Sequence, residues 1–494
     1  MATAAITCDC SSCVGARVTI QQIFCVLRKY GWLLDSYVVD FYYEDLWQKL
    51  PEAWRIILED VSPRELGTWI SGEHQIERVW PLTLLTLRQI VSILTLNRDC
   101  NGGIVFKCVR AGNSERVFPE RNLNKPGAHF EGSENSKVSD KKFKNIFSKH
   151  VKIKKRHEIE KIAEICANCA VQTNCECIVD VGAGMGHLAR ALAYKYGLCT
   201  VCIEQQPVLS EQARKWDDQL LTSLSKHVSD FTKRKPLHVS ATVKSSNSSR
   251  AELTTQLLAL FRDNFYLNTN ISNFGFVGLH PCGDLAATLL KVYAEQKEIK
   301  YLCIVGCCYM KLTLDGSDGC EQFKGYPLSK FVSSCSDYNI SYNALEVACH
   351  ALENYCDKLK EEKYNDLIVH AYRAALECIL ISKNKVLRRS QVRSVKLKKD
   401  MTFEQYCNIA TEHFKVENQP TKQDCEDTHI QAFLNNWRQI VAFSSLRFML
   451  APLIETIILL DRALFLSEKG LNMSLKSEFD PKLSPRNFVL TSFK

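Results

Sequence analysis

No run of this chain is long and apolar enough to cross a bilayer. The longest, Phe448 to Leu460, already holds Pro452 and Glu455 and is followed by Asp461 and Arg462. It reads as a buried helix, too short for roughly 30 Å of hydrocarbon. A secretory leader is not expected either, because Met1-Ala-Thr-Ala-Ala-Ile-Thr-Cys-Asp-Cys10 has neither a basic segment nor a continuous apolar one. Charge of one sign is scarce in the sum: 63 Lys and Arg against 55 Asp and Glu leave +8, too dilute to define a polyanionic partner unless it is clustered. These absences exclude secretion and membrane insertion from the reading and leave a cytoplasmic or nuclear protein as the expectation. Core-forming residues are plentiful. With 494 residues, 46% hydrophobic and 24% charged, the chain is not disordered and has material for two or three domains.

Cysteine is abundant, at 23, but an odd count in a long chain with no leader does not read as a disulfide framework. Two groupings have some metal-ligand spacing, Cys8-Asp-Cys10-Ser-Ser-Cys13 and the run from Cys166 to Cys177. Buried cysteine usually serves as a small hydrophobe, and neither grouping offers a convincing set of four ligands. No metal site is expected.

From Val18 to about Arg110 apolar residues recur at helical spacing, with Ile20, Ile23, Leu27, Tyr30 and Leu34 on one face. This predicts an N-terminal α-helical domain over residues 1–110. Residues 111–150 form a polar and basic linker. An α/β core is expected over 151–385, where β-like runs alternate with helical ones, the rhythm of a parallel sheet wrapped by helices. The runs are Cys177 to Val181, Cys199 to Glu204, Leu237 to Val243, Phe274 to Leu279 and Tyr301 to Val305. A helical insertion is expected over 386–445. A C-terminal helix and strand hairpin over 446–494 then complete the sheet.

The chemistry concentrates in Ile178-Val-Asp-Val-Gly-Ala-Gly-Met-Gly-His-Leu188. An apolar strand ends in an acid and runs into a glycine-rich turn, where the missing Cβ atoms let a ligand approach the backbone. The dinucleotide fingerprint would need glycine where His187 stands, and there is no Walker lysine. Glu204 ends the next strand, where an acid accepts bonds from ribose hydroxyls. An anionic pocket of this kind suits a cationic nucleoside, and S-adenosyl-L-methionine fits. Asp180, Gly182, Ala183, Gly184, Gly186, His187, Leu188, Glu204, Gln205 and Leu279 are the expected cofactor-binding residues.

Gly278-Leu-His-Pro-Cys-Gly-Asp-Leu285 and Val305-Gly-Cys-Cys-Tyr-Met-Lys-Leu-Thr313 end the fourth and fifth strands, where ligands of open α/β sheets sit. Asp284, His280, Cys282 and Tyr309 are the candidate catalytic residues, with Cys308 beside them. Asp284 is the first choice as a polar acceptor-side group.

These motifs, with Lys155-Arg-His-Glu-Ile159, Ala348-Cys-His-Ala351, Leu450-Ala-Pro, Ile458-Leu-Leu-Asp-Arg462 and Ser484-Pro-Arg-Asn487, resemble the methyltransferase-like protein 25 family, whose members are often described as containing a ribosomal RNA adenine dimethylase domain. The resemblance runs from about Lys152 to the C-terminus. It implies a Rossmann-like class I methyltransferase sheet, mostly parallel with an antiparallel last strand, and use of S-adenosyl-L-methionine. Adenine N6 dimethylases resemble one another in an Asn-x-Pro-Tyr type tetrapeptide, whereas Leu279-His-Pro-Cys282 stands here, which disfavours that chemistry. The cysteine-rich strand ends are similar instead to transfer-RNA 2′-O-methyltransferases. A pyrimidine C5 mechanism through Cys282 and Cys308 is a further alternative, although the acid that normally accompanies such a Pro-Cys is replaced by His280.

Lys141 to Arg156 holds eight Lys or Arg and no acid, and Lys385 to Lys399 holds seven and none. Such runs neutralise phosphates, so RNA is the expected partner, with a protein partner on the N-terminal helical domain as a second expectation. Lys152 to Arg156 could also serve nuclear import. The expected function is thus methyl transfer to RNA, with a protein acceptor or a non-catalytic, RNA-associated cofactor-binding subunit as alternatives.

Overall fold

Five of the eight strands follow from short runs rich in β-branched and apolar residues, nearly continuous where the strand is covered on both faces and broken by His238 and Ser240 in the edge strand. The computed structural model describes residues 8–73, 78–109, 151–225, 235–243, 247–265, 271–314 and 324–494. The expected linker 111–150 lies outside them, as does the basic stretch 141–150. The strands are β1 (Ile104–Cys108), β2 (Cys177–Val181), β3 (Cys199–Glu204), β4 (Leu237–Ser240), β5 (Phe274–Cys282), β6 (Ile299–Cys307), β7 (Asn472–Ser477) and β8 (Phe488–Phe493).

They form one sheet in the order β1-β7-β8-β6-β5-β2-β3-β4. The block from β4 to β6 is parallel. β8 enters beside β6 in the antiparallel sense, and β7 pairs antiparallel to β8. The sheet is therefore Rossmann-like with an antiparallel last strand, as expected. Chain order reverses between β2 and β5, which opens a crevice at the carboxyl ends of these strands.

The strand β1 was not expected, because the region up to Arg110 read as helical. Its Ile104-Val-Phe run follows Asn101-Gly-Gly, a short β signal bounded by a turn, and it pairs antiparallel with β7. The helix Ile153–Thr173 packs on β6 and β5. Its Ile159, Ile162, Cys166 and Cys169 share a core with Ile178, Val277, Tyr301, Cys303 and Phe493. The cysteines from 166 to 177 thus include core members, with Cys169 Sγ 3.6 Å from Cys303 Sγ.

The chain divides into two units, each discontinuous in sequence. The first holds the sheet and comprises residues 1–22, 96–339 and 457–494; the second comprises 23–95 and 340–456. The expected succession of segments is thereby revised. Residues 340–385 join the helices of 23–95 rather than the sheet, and 96–109 join the sheet. Periodicity identifies a helix without saying what it packs against, and the helices Ser11–Asp35 and Trp437–Glu468 each begin in one unit and end in the other. The second starts earlier than the expected Leu446.

The second unit is helical. Pro63–Ser71 is capped by the Ser62 hydroxyl, which accepts the Glu65 N–H, and it packs on Leu352–Lys360 so closely that a Cβ on Gly67 would lie 2.8 Å from Leu359 Cβ. A core of Leu376, Leu380, Phe403, Tyr406 and Cys407 lies under the segment expected as a helical insertion. No helix among the described residues is long and apolar enough to cross a membrane.

Candidate active site

Gly182, Gly184 and Gly186 follow β2 with φ of 74°, 55° and 69°, the left-handed region that side chains resist. The turn is held from both sides. Gly182 and Ala183 donate their N–H groups to the Ile203 carbonyl at 2.9 and 3.2 Å. Glu204, at the tip of β3, accepts the Gly184 N–H on Oε2 at 2.9 Å and the Gln206 N–H on Oε1 at 3.0 Å. Each oxygen retains lone-pair capacity for a further donor. A Cβ at Gly184 would meet nothing within 4 Å, so the turn faces open space.

Beside the turn opens a cleft of about 680 Å³ lined by Gly182, Glu204, Gln205, Thr242, Cys282 and Asp284, with Leu285, Thr288 and Thr313 completing one wall. Its volume lies within the range of small-molecule and cofactor sites. Thr242, Thr288 and Thr313 were missed from the sequence, since lone threonines carry no motif.

Asp180 sits beneath the turn, 2% exposed, with Oδ2 lacking a hydrogen-bond partner. Burial pushes its carboxyl up to about 7; the charge of Lys155 opposes this and that of Glu204 adds to it. A buried carboxyl with an unsatisfied oxygen at a glycine turn is a place for a donor or a cation.

The other expected cofactor residues do not all face the cleft. Leu188 and Leu279 belong to the core. His187 turns to Trp216, with ring centroids 5.1 Å apart, and its Nδ1 lies 3.3 Å from Arg190. His187 and Leu188 follow the glycine turn into a helix, which returns every third or fourth side chain to the sheet, whereas Leu279 lies in β5, a strand buried along most of its length.

A buried network missed from the sequence supports the turn. Asp217 is fully buried, forms an ion pair with Arg190 whose Nε lies 2.7 Å from Oδ1, and has Oδ2 2.7 Å from His238 Nε2. Arg190 also donates to the Met185 carbonyl inside the turn at 2.5 Å. A Cβ on Gly186 would lie 2.6 Å from His238 Cε1, so the third glycine is required by this packing. The three network residues come from a helix start, a helix interior and β4, which no linear motif joins.

On the other side of the cleft, Asp284 opens the helix Asp284–Glu295, but both its oxygens are engaged. Thr313 donates its N–H to Oδ1 at 2.8 Å and its hydroxyl to Oδ2 at 2.6 Å. Asp284 therefore ties the segment after β6 to the helix. Cys282 faces the cleft, with Sγ 3.4 Å from Cys307 Sγ. That contact, strengthened by Cys308, Lys311 and His280 and opposed by burial, lowers its thiol to about 5. The Cys282, Cys307 and Cys308 sulfurs lie within 4.8 Å of one another, so Cys308 belongs to the same cluster as Cys282 rather than to an opposite wall.

His280 and Tyr309 do not line the cleft. His280 has φ 68° and places Nε2 3.0 Å from Oε2 of Glu158. Glu158 is 1% exposed and accepts the Ser484 hydroxyl at 2.7 Å. Tyr309 is buried, its ring 5.8 Å from the Arg462 guanidinium and 5.3 Å from that of Arg486. The motifs around residues 158, 280, 309, 462 and 484–486, dispersed in sequence, thus converge beside β5 and β6.

A parallel sheet of this order, with an antiparallel β8 and an acid-anchored glycine turn, defines a class I methyltransferase domain. The chain matches the family model described as a methyltransferase domain over residues 154–315. It is a homologue of the proteins named "Probable methyltransferase-like protein 25", at 29% identity to the Mus musculus protein over 44% of this chain and 37% of that one, and 26% to the Homo sapiens protein over 51% and 42%. The chain thus spans about two fifths of the length of these curated relatives. A solved chain from Galdieria sulphuraria, described as a sarcosine dimethylglycine methyltransferase, is 14% identical over 30% of this chain and 45% of its own, at a TM-score of 0.20, a likeness too low for comparing sites.

Proposed function

We propose that this chain is an S-adenosyl-L-methionine-dependent methyltransferase acting on RNA. The observation that carries the reading is the Glu204 carboxylate bound to the Gly184 N–H at the wall of an open cleft. Among the described residues the carboxylates lining that cleft are Glu204 and Asp284, with no Lys or Arg beside them, a lining that repels a pyrophosphate and suits a positively charged nucleoside. The unsatisfied Asp180 oxygen and the open space above Gly184 also fit such a ligand.

When bound, S-adenosyl-L-methionine supplies an electrophilic methyl group. The residues of the chain would hold it as follows. Glu204 accepts from ribose hydroxyls, Gly182 and Gly184 admit the ligand to the backbone, and Ile203, Val243 and Leu285 offer apolar surface to the base. Asp284 and Thr313 fix the acceptor wall. Catalysis then draws on positioning and on the electrostatics of the cleft, and Cys282 is the ionisable thiol within reach of an acceptor.

RNA as the acceptor is supported by the basic runs and by the strand-end motifs. In the second run, Arg388 and Arg389 pair with Asp40 and Arg393 pairs with Glu412. The phosphate-binding role therefore falls to Lys385, Lys396, Lys398 and Lys399 and to the start of the helix Ile153–Thr173. A non-catalytic reading draws on one observation, the engagement of Asp284 by Thr313 and of His280 by Glu158.

The test is transfer of isotopically labelled methyl from S-adenosyl-L-methionine into total RNA and total protein of cells lacking the gene, using the full chain and Glu204→Ala. Glu204-dependent label in RNA is expected. Label in protein alone would overturn the acceptor, and cofactor binding with no label in either pool would favour the non-catalytic reading.

A further inference from the structure

Far along the sheet from the cleft, at its β1 edge, four cysteines meet. Cys8, Cys10 and Cys13 precede or open the helix Ser11–Asp35, and Cys108 ends β1. Their four sulfurs all lie within 4.8 Å of one another, and all four residues belong to the sheet unit. We propose that these four thiolates bind one zinc ion, which fastens the start of the Ser11–Asp35 helix to the edge strand.

The geometry carries this. Four sulfurs about 2.3 Å from a central zinc stand about 3.8 Å apart in a tetrahedron, and Cys8 Sγ lies 3.7 Å from Cys108 Sγ. A disulfide would need about 2.05 Å between sulfurs. Donors that steady thiolates surround the cluster. The Cys13 N–H points at Cys10 Sγ at 3.4 Å, and the Ser467 hydroxyl lies 3.2 Å from Cys13 Sγ and 3.5 Å from Cys108 Sγ. The helix places its positive N-terminal end there. Arg17 donates to the Cys8 carbonyl at 2.9 Å and pairs with Asp9, fixing the backbone of the first ligand. Hydrogen bonds of this kind orient metal ligands and tune affinity. An all-sulfur set selects zinc or iron over magnesium or calcium, and a closed set of four protein ligands is a structural rather than a catalytic site.

The sequence pattern Cys-x-Cys-x2-Cys gave three ligands, one short of a set. The fourth comes from a strand that helical periodicity concealed, which is why no metal site was expected.

The experiment is elemental analysis of the full chain, purified under reducing conditions and again after reconstitution with zinc sulfate and desalting. About one zinc per chain is expected. Cys10→Ser/Cys13→Ser should retain less than about a tenth of it, and Ser467→Ala should weaken retention against a chelator about tenfold. Cys25→Ser, on the exposed side of the same helix, and Cys282→Ser, in the other sulfur cluster, should keep the metal. Circular dichroism of the single Cys10→Ser variant, a half-buried position, guards against a misfolded double variant. The proposal is overturned by absence of metal after reconstitution, by full metal in Cys10→Ser/Cys13→Ser, by loss only in Cys282→Ser, by iron with acid-labile sulfide, or by a Cys8–Cys108 disulfide in the native protein.

Discussion

Glu158 and His280, on the helix Ile153–Thr173 and at the end of β5, face each other at 3.0 Å with Glu158 buried. Burial alone would push the Glu158 carboxyl up, yet His280, Ser484 and Lys155 outweigh it and hold it down at about 2. The folded value lies below the ordinary one, so the stability this carboxylate contributes is present above about pH 4.5 and is lost as pH falls toward 2. His280→Ala should leave a buried, poorly paired carboxylate and cost about 3 kcal/mol, read by urea denaturation at pH 7. In Glu158→Gln/His280→Ala the loss should be smaller, because no buried charge is left behind.

Asp180 has the opposite sign. Its folded value of about 7 lies above the ordinary 3.8, so its contribution is full below about pH 4 and is lost as pH rises through 7. Asp180→Asn should flatten the fall in Tm between pH 5 and 8 relative to wild type. Saturating S-adenosyl-L-methionine should flatten it in the wild type as well, if a bound ligand presents a donor or a cation to this oxygen.

Gly184→Val should abolish cofactor binding by calorimetry, since the added atoms enter the open space above the turn, and should cost only about 1–3 kcal/mol for a side chain held at φ 55°, with no steric collision. Gly186→Ala should destabilise the fold beyond that strain, because its Cβ also collides with His238 at a left-handed φ. A comparison of Tm and Kd for the two separates the ligand-facing glycine from the packing glycine.

Asp217→Asn removes the charge between buried Arg190 and His238. The loss should be about 3–5 kcal/mol, as for other broken buried ion pairs, measured as a lower urea midpoint with an unchanged m value.

Cys282 should be the first thiol alkylated by limiting iodoacetamide at pH 7, because it is exposed and lowered to about 5. Peptide mass spectrometry identifies the site. Reactivity should fall as pH drops below 5, and Cys307→Ser should raise the pH at which it falls.

The strands β2 and β3 were legible to the residue, Cys177–Val181 and Cys199–Glu204, because buried parallel strands are unbroken apolar runs bounded by a turn and an acid. The glycine turn and Glu204 were legible for the same reason: their chemistry is consecutive in sequence. Three things were not. Asp217, His238 and Cys108 matter through residues far away in the chain. Leu188 and Leu279 sit beside motif residues but point into the core. Asp284 reads as a free carboxylate until Thr313 is seen to occupy it.

The edge strand β1 has its ladder partner in β7, with Cys108 opposite Met473, and the chain passes between the two units four times. A ribosome must therefore deliver nearly the whole polypeptide before that ladder can form, and contacts so distant in sequence close slowly. Until then the β1 segment waits as an unpaired edge, the kind of surface that invites chaperones. A single cut in the chain likewise cannot release an intact sheet unit, so that unit should be isolated by excising 23–95 and 340–456 together rather than by trimming either end.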